Sequence, residues 1–355
     1  MNYPVGDDFV EVGDRCFVRR YASYDVNVGV VAGSRGMLVI DSRASEPEAA
    51  MLMEHLRALR RGEIVALVNT HWHFDHTFGN AVIADEWPEA SMHAHEDAAR
   101  TLRAEASGLQ EEARADQTDP RHAEIAAARI VVPDRTFASV ATVDLGDRVV
   151  ELVHPGRGHT DGDCVVVVPD ADVVFAGDLI EQSGPPGFGS DCFPLEWAGS
   201  LDLLMGLLSV RSVVVPGHGS AVDKTFVDDQ RGDIADVAGN IRSLFTRGVP
   251  LSDALRIGAD STRPVPLAEA HRLSPTAVDN TADASTGSPT DCDDGTPTDS
   301  SAASSAADNE GGLSTASPSS GWPFPPEHLG QAVERGYAHL RWPGGRSEPA
   351  GSHGG

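Results

Sequence analysis

His71, His73, Asp75 and His76 form a compact His-x-His-x-Asp-His run. Imidazole nitrogens and carboxylate oxygens suit a first-row divalent ion, which needs several of them converging at about 2.0–2.2 Å. In a turn that follows a strand, His71 and His73 can aim at one centre while Asp75 and His76 aim at a neighbouring one. Three further candidates lie downstream: His159 in Gly-His-Thr, Asp178 in Ala-Gly-Asp, and His218 in Pro-Gly-His-Gly. Each follows an apolar run and sits beside glycine, which lets the backbone turn tightly and the side chain face a cleft. A single loop histidine is more often solvated or hydrogen-bonded to its surroundings. The ordered set taken together favours a metal site.

The elements that must hold these residues can be read from the pattern. Short apolar or alternating runs at residues 9–12, 16–19, 26–32 and 37–40, punctuated by glycine, predict a β meander. A helix is expected over 46–60, with a Ser-x-x-Glu start at Ser45, and a strand over 64–69 that runs into the histidine loop. Residues 96–129 are rich in Ala, Glu and Arg and predict helix. Strands follow at 138–145, 148–154, 164–168 and 173–176, then a helix at 201–208, a strand at 212–215 and helices at 226–245 and 251–257. The order of strands, helix, strand and site loop thus occurs twice. Two sheets covered by helices on their outer faces, a four-layer αββα sandwich, satisfy it.

Composition changes near Leu273. Residues 273–320 are Ser, Thr, Ala, Asp, Gly and Pro with no basic side chain, which predicts a disordered acidic linker. Trp322, Phe324, Leu329, Val333, Tyr337 and Leu340 then resume helical spacing. The expected division is a catalytic domain over 1–272, the linker over 273–320, a docking helix within 321–345 and a disordered tail over 346–355.

With Asp41 at a strand end, the His-x-His-x-Asp-His run, His159, Asp178 and His218 in order, the sequence resembles the metallo-β-lactamase-fold hydrolase superfamily over roughly residues 9–245. The resemblance implies the four-layer fold and two zinc ions per chain, with iron or manganese as alternatives, between the sheets. His71, His73 and His159 would bind the first ion, Asp75, His76 and His218 the second, and Asp178 would bridge them. It implies a metal-bridging hydroxide that attacks an ester, thioester, lactone or amide carbonyl, with Asp75 as ligand and proton acceptor. Asp41 is expected behind the ligands, orienting a site histidine. His-Trp-His-x-Asp-His, Gly-x-Gly-His-Thr and Phe-Ala-Gly-Asp-Leu, all present here, are most like poorly characterised bacterial hydrolases of this fold. The bridging position is Asp178 rather than the cysteine of one main lactamase branch, so antibiotic hydrolysis is not implied. His73 stands where flavin-linked diiron members carry Glu, which argues against oxygen reduction. The alternatives are a mononuclear-iron sulfur dioxygenase and a non-catalytic metal-binding module; the complete ligand set speaks against both.

Around the site, the Gly- and Pro-rich stretch 181–197 suits a pocket loop, with Phe188, Phe193 and Trp197 as apolar walls. Trp72 interleaves the ligands and Arg157 could anchor a substrate carboxylate. His93, His95 and His154 are expected to be structural. Gly-x-Ser-x-Gly is absent and Gly156, Gly158 and Gly162 lack the spacing of a phosphate loop. The 54 acidic against 27 basic residues give a net charge of −27, with Lys224 the single lysine. Such a field repels phosphate backbones and anionic lipid, so a small-molecule substrate is expected, with no nucleic acid and no membrane partner. No run of about 18 apolar residues spans a bilayer. Four scattered cysteines and a start without an apolar leader fit a cytoplasmic protein. Oligomeric state is not readable from the sequence.

Overall fold

The computed structural model describes residues 5–6, 8–116, 118–259 and 322–341. The glycine-punctuated runs at the start form an antiparallel meander of β1 (Val10–Gly13), β2 (Cys16–Arg20), β3 (Asn27–Gly33) and β4 (Gly36–Ile40). Three strands continue that sheet in parallel: β5 (Ile64–Val68), β6 (Ser91–His95) and β7 (Arg135–Phe137). The crossovers are α1 (Glu46–Leu59), then α2 (Phe74–Thr77) with α3 (Asn80–Glu86), then α4 (Glu96–Ala115) with α5 (Arg121–Ala127). The second sheet holds β8 (Val140–Asp144), β9 (Val149–Val153), β10 (Val165–Val168) and β11 (Val173–Glu181), all antiparallel, with β12 (Val213–His218) parallel to β11. Around it lie α6 (Trp197–Leu207), α7 (Lys224–Thr246), α8 (Leu251–Ala259) and α9 (Gly330–Arg341).

Strand alternation builds the layers. In β10, Val166 and Val168 enter the cluster between the sheets, with Val31, Leu38 and Val68 of the first sheet, while Val165 and Val167 enter the cluster under the outer helices. Successive strand side chains point to opposite faces, so an unbroken valine run can feed two cores. On the first sheet, Val30, Val39 and Leu67 face outward onto Leu52, Met53 and Leu56 of α1 and Ile83 of α3. On the second, Trp197, Leu201 and Leu204 of α6 pack with Ile234, Val237 and Ile241 of α7. The result is the αββα sandwich.

The expected helix start at Ser45 forms, since Ser45 Oγ accepts from the Glu48 amide at 3.4 Å. Glu48 does not close the reciprocal bond of a capping box; it turns to the buried Arg43 at 2.8 Å. The helix expected over 96–129 is two, because the chain leaves helical geometry at Asp116 (φ −93°, ψ 105°). Strands β6 and β7 and helix α3 have no counterpart among the residue patterns; β6 (SMHAH) and β7 (RTF) carry polar residues where the other strands carry apolar ones. β11 runs five residues past the expected end, through Gly177, where a positive φ of 53° lets the ladder shift register against β12.

α9 falls inside the segment expected to dock, and belongs to the same compact unit as the sheets. Val333 and Tyr337 are buried with Ile241 and Leu244 of α7. Gly336 permits the approach, because a Cβ there would lie 2.6 Å from Ile241 Cγ2. The linker expected over 273–320 and the tail over 346–355 lie outside the described residues. Among the described residues no helix is long and apolar enough to cross a membrane, and Cys16, Cys164 and Cys192 are buried and unpaired.

Candidate metal centre

The candidate ligands gather at one edge of the two sheets. Asp41 follows β4 and the 71–76 loop follows β5, so the first sheet delivers them from the C-terminal ends of adjacent parallel strands. His159 sits in the β9–β10 connection, Asp178 within β11, and His218 at the end of β12. Two glycines make the approach possible. At Gly177 a Cβ would meet Thr70 Cβ at 2.7 Å, and at Gly217 one would lie 1.8 Å from Asp178 Oδ1.

The side chains form two groups, His71, His73, His159 and Asp178, and then Asp75, His76 and His218, with the facing atoms of each group within 4.8 Å of one another. Asp178 touches both: Oδ2 lies 3.6 Å from His71 Nε2, 3.4 Å from His159 Nε2 and 3.2 Å from His218 Nε2, and Oδ1 lies 3.2 Å from His76 Nε2. Asp75 Oδ2 is 3.5 Å from Nε2 of both His76 and His218.

Each histidine is pinned through its outer nitrogen. His76 Nδ1 donates to Asp41 Oδ2 at 2.8 Å, His159 Nδ1 to the Gly187 carbonyl at 2.8 Å, and His218 Nδ1 to the Tyr24 carbonyl at 2.8 Å. His73 Nε2 donates to Asp191 Oδ2 at 3.1 Å, and His71 Nδ1 donates to Thr70 Oγ1 at 3.1 Å. Thr70 in turn donates its hydroxyl and its amide to the two oxygens of Asp41, each at 2.8 Å. Carbonyls and carboxylates only accept, so these partners fix a proton on each outer nitrogen, and the neutral form of each ring then presents its inner nitrogen as a lone pair. The inner atoms His73 Nδ1 and His159 Nε2 are 2.8 Å apart. His71 Nε2 and Asp178 Oδ1 are buried with no hydrogen-bond partner. Converging lone pairs and orphaned buried atoms are unfavourable unless a cation sits among them, so the donor set fits a metal.

The electrostatics show the same demand for positive charge. Burial opposes a cation on His218, yet Asp178, Glu181 and Asp75 outweigh it and raise its pKa to about 10. His76 is likewise raised well above its usual range: burial resists, but Asp178, Asp75 and Asp41 prevail. Burial lowers His159 to about 4 and holds His71 well down. Asp178 stays far below the carboxylate range because His218, His76 and His71 overcome its burial. Protons on His76 and His218 are what a metal ion would displace.

Asp191 is a residue of the candidate site that the sequence reading missed. Its Oδ2 also accepts from Trp72 Nε1 at 2.8 Å. The available signal was an acid alone in the Gly- and Pro-rich stretch between Glu181 and Glu196. Asp163 was also missed; it accepts from the Thr160 amide and hydroxyl and so braces the turn carrying His159. Of the expected pocket residues, Phe188 lines a cavity beside His159, and Trp197 is fully buried with its indole edge against the His159 ring at 5.8 Å. Arg157 makes a two-pronged bond to Glu196 and lies over the Phe193 ring at 4.5 Å, so its charge is used there. Phe193 stacks on His339 of α9. His95 accepts from the Asp97 amide at the start of α4 and stacks on His154, and His93 bonds Ser91; none of the three joins a ligand group.

The sequence profile of the Metallo-beta-lactamase superfamily matches residues 23–227, more than half of the chain. The chain belongs to that superfamily. A metallo-beta-lactamase type 2 of Bacillus cereus is 24% identical over 197 residues, covering 55% of this chain and 67% of the relative. A metallo-beta-lactamase of Pseudomonas aeruginosa, solved in a mono-zinc form, superposes with a TM-score of 0.50 at 16% identity over 66% of this chain and 98% of that one. A double mutant of a sec-alkyl sulfatase gives a TM-score of 0.58 at 17% identity, covering 73% of this chain and 46% of that one. At these identities the structural likenesses show the superfamily fold alone.

Proposed function

We propose that this superfamily member is a zinc-dependent hydrolase acting on an ester, thioester, lactone or amide bond of a small molecule. The observation that carries the reading is the pair of ligand groups sharing Asp178, with all five histidines pinned so that lone pairs face inward. His71, His73 and His159 would hold one ion, Asp75, His76 and His218 the other, and Asp178 would reach both. When bound, two such ions supply Lewis acidity, bringing the pKa of a water from 15.7 to about 7 and polarising a carbonyl.

The chain's own residues do the rest. Asp41 and Asp191 hold His76 and His73 in place through their outer nitrogens. Asp75, whose Oδ2 faces His76 and His218, takes up the proton released as water attacks. Phe188 and Trp197 set apolar rings around His159, which excludes water from that part of its surroundings. The printed name of the curated relative, a metallo-beta-lactamase, supports a hydrolytic reaction. Asp178 in place of a cysteine keeps the bond type broader than a β-lactam.

The test is metal analysis joined to a hydrolysis panel of thioesters, lactones, phosphodiesters and β-lactams, with His71→Ala as the blank. The expected result is about two zinc ions per chain and hydrolysis that the variant loses. One iron per chain with oxygen uptake would replace this reading by the sulfur dioxygenase. A chain that retains no metal would leave only a binding module.

A further inference from the structure

A cavity of about 310 Å³ opens beside His159. One wall is Gly187, Phe188 and Gly189, from the same loop whose Gly187 carbonyl holds His159. The rest of the lining comes from far along the chain: Glu327 and His328 of the turn before α9, and Gln331 in its first turn. This distant part lies beyond residues 23–227, the part of the chain that matches the superfamily.

The distant part is fixed. Trp322, Leu329, Val333 and Tyr337 are buried in the core under the second sheet's helices, and Tyr337 donates to the Val249 carbonyl at 3.0 Å. Arg335 Nε donates to the Cys192 carbonyl at 3.0 Å, the residue after Asp191, so α9 grips the pocket loop itself. Phe324 meets Phe188 at 6.1 Å between ring centres. A segment so embedded is part of the site's shape.

The ionisable groups lining the cavity are one carboxylate, Glu327, and two imidazoles, His159 and His328. Among the described lining residues Glu327 is the one acidic side chain, and no arginine or lysine joins it. The nearby Arg157 is paired with Glu196, and Arg335 is directed at the Cys192 carbonyl rather than lining the cavity. The chain as a whole carries −27, which disfavours anions further.

We propose that the segment 326–331 is the specificity wall of the substrate site, with Glu327 selecting substrates whose group distal to the cleaved bond is an apolar body ending in a cationic or neutral function, and rejecting anionic ones. That the cavity is the substrate site, with the cleaved bond toward the metal centre, rests on the hydrolase reading; the preference for cationic over anionic ligands does not.

Probes that share a phenylbutyl body and end in ammonium, hydroxyl or carboxylate would be titrated calorimetrically into the full chain as purified, and again after chelation. Native protein should bind the ammonium probe about five-fold more tightly than the hydroxyl probe, and the carboxylate probe most weakly after chelation. Glu327→Gln should flatten the order and Glu327→Arg invert it; Glu327 is exposed, so both variants should fold. Gln331→Trp, which fills the cavity, should weaken all three probes about tenfold. The same order in native protein and Glu327→Arg, or indifference to Gln331→Trp, overturns the proposal. The chelated arm separates it from the hydrolase reading: a panel without hydrolysis defeats that reading while leaving these affinities intact. Hydrolysis with an unaltered probe order defeats only this one.

Discussion

The two halves of the molecule supply the site by different means. The first sheet places four candidate ligands from one short loop and backs them with a strand-end carboxylate, Asp41, at a positive φ of 66°. That conformation is one Asp adopts more readily than most residues. The second sheet gives its ligands singly, from the β9–β10 connection, from within β11 and from the end of β12, and each depends on a glycine neighbour or a distant main-chain carbonyl, Gly187 for His159 and Tyr24 for His218. One half is organised locally; the other is organised only when the whole chain has folded.

The largest effect should come from the second half. Gly217→Ala drives a Cβ against Asp178, the ligand common to both groups. We expect metal content near zero and a stability loss of about 1–3 kcal/mol, read by metal analysis and denaturant unfolding. Retained metal would mean that β12 yields more easily than its packing implies. Asp41→Asn tests the local half. It should weaken metal affinity about 10–100-fold, with Asp191→Asn toward the lower end of that range, measured by chelator competition. Equal affinity in the Asp41 variant would show that the loop needs no backing carboxylate.

A pH effect sharpens the contrast. Burial raises Asp163, behind the His159 turn, to about 8. Its folded pKa therefore exceeds its unfolded value near 3.8, so its stabilisation is full below that value and is lost as pH rises through about 8. Asp163→Asn, of the same shape and always neutral, should remove this slope, so that Tm falls less between pH 5 and 9 than in the native chain. The smallest effect should be that of Arg157→Ala. An exposed pair of this kind contributes about 0–1 kcal/mol, and turnover should change less than twofold; a tenfold loss would restore the carboxylate-anchoring role expected from sequence.

The same contrast explains what the sequence disclosed. His71, His73, Asp75 and His76 were visible because their chemistry is contiguous, and His159, Asp178 and His218 because glycine marks each turn. Asp41 was visible as a carboxylate at a strand end. The two-sheet order was visible in the repeated run of strands, helix and site loop. Asp191 was hidden because its partners, Trp72 and His73, lie more than a hundred residues away. The Tyr24 and Gly187 carbonyls were hidden because every residue has one. β6 and β7 were not legible in the residue pattern because polar side chains, Ser91, His93 and His95 in β6 and Arg135 and Thr136 in β7, replace the apolar run that marks the other strands. The helical spacing around Val333 and Tyr337 announced α9, but not that its leading turn would close a cavity beside His159.

The pinned imidazoles have one more consequence. Five rings lose their rotational freedom when the chain folds, not when an ion arrives. Capture of an ion would then be a fitting event in which the cation sheds its hydration shell and displaces protons from His76 and His218 while the rings keep their places. A stiff mould of this kind discriminates by radius and preferred coordination, so an ion of the wrong size must distort itself or leave.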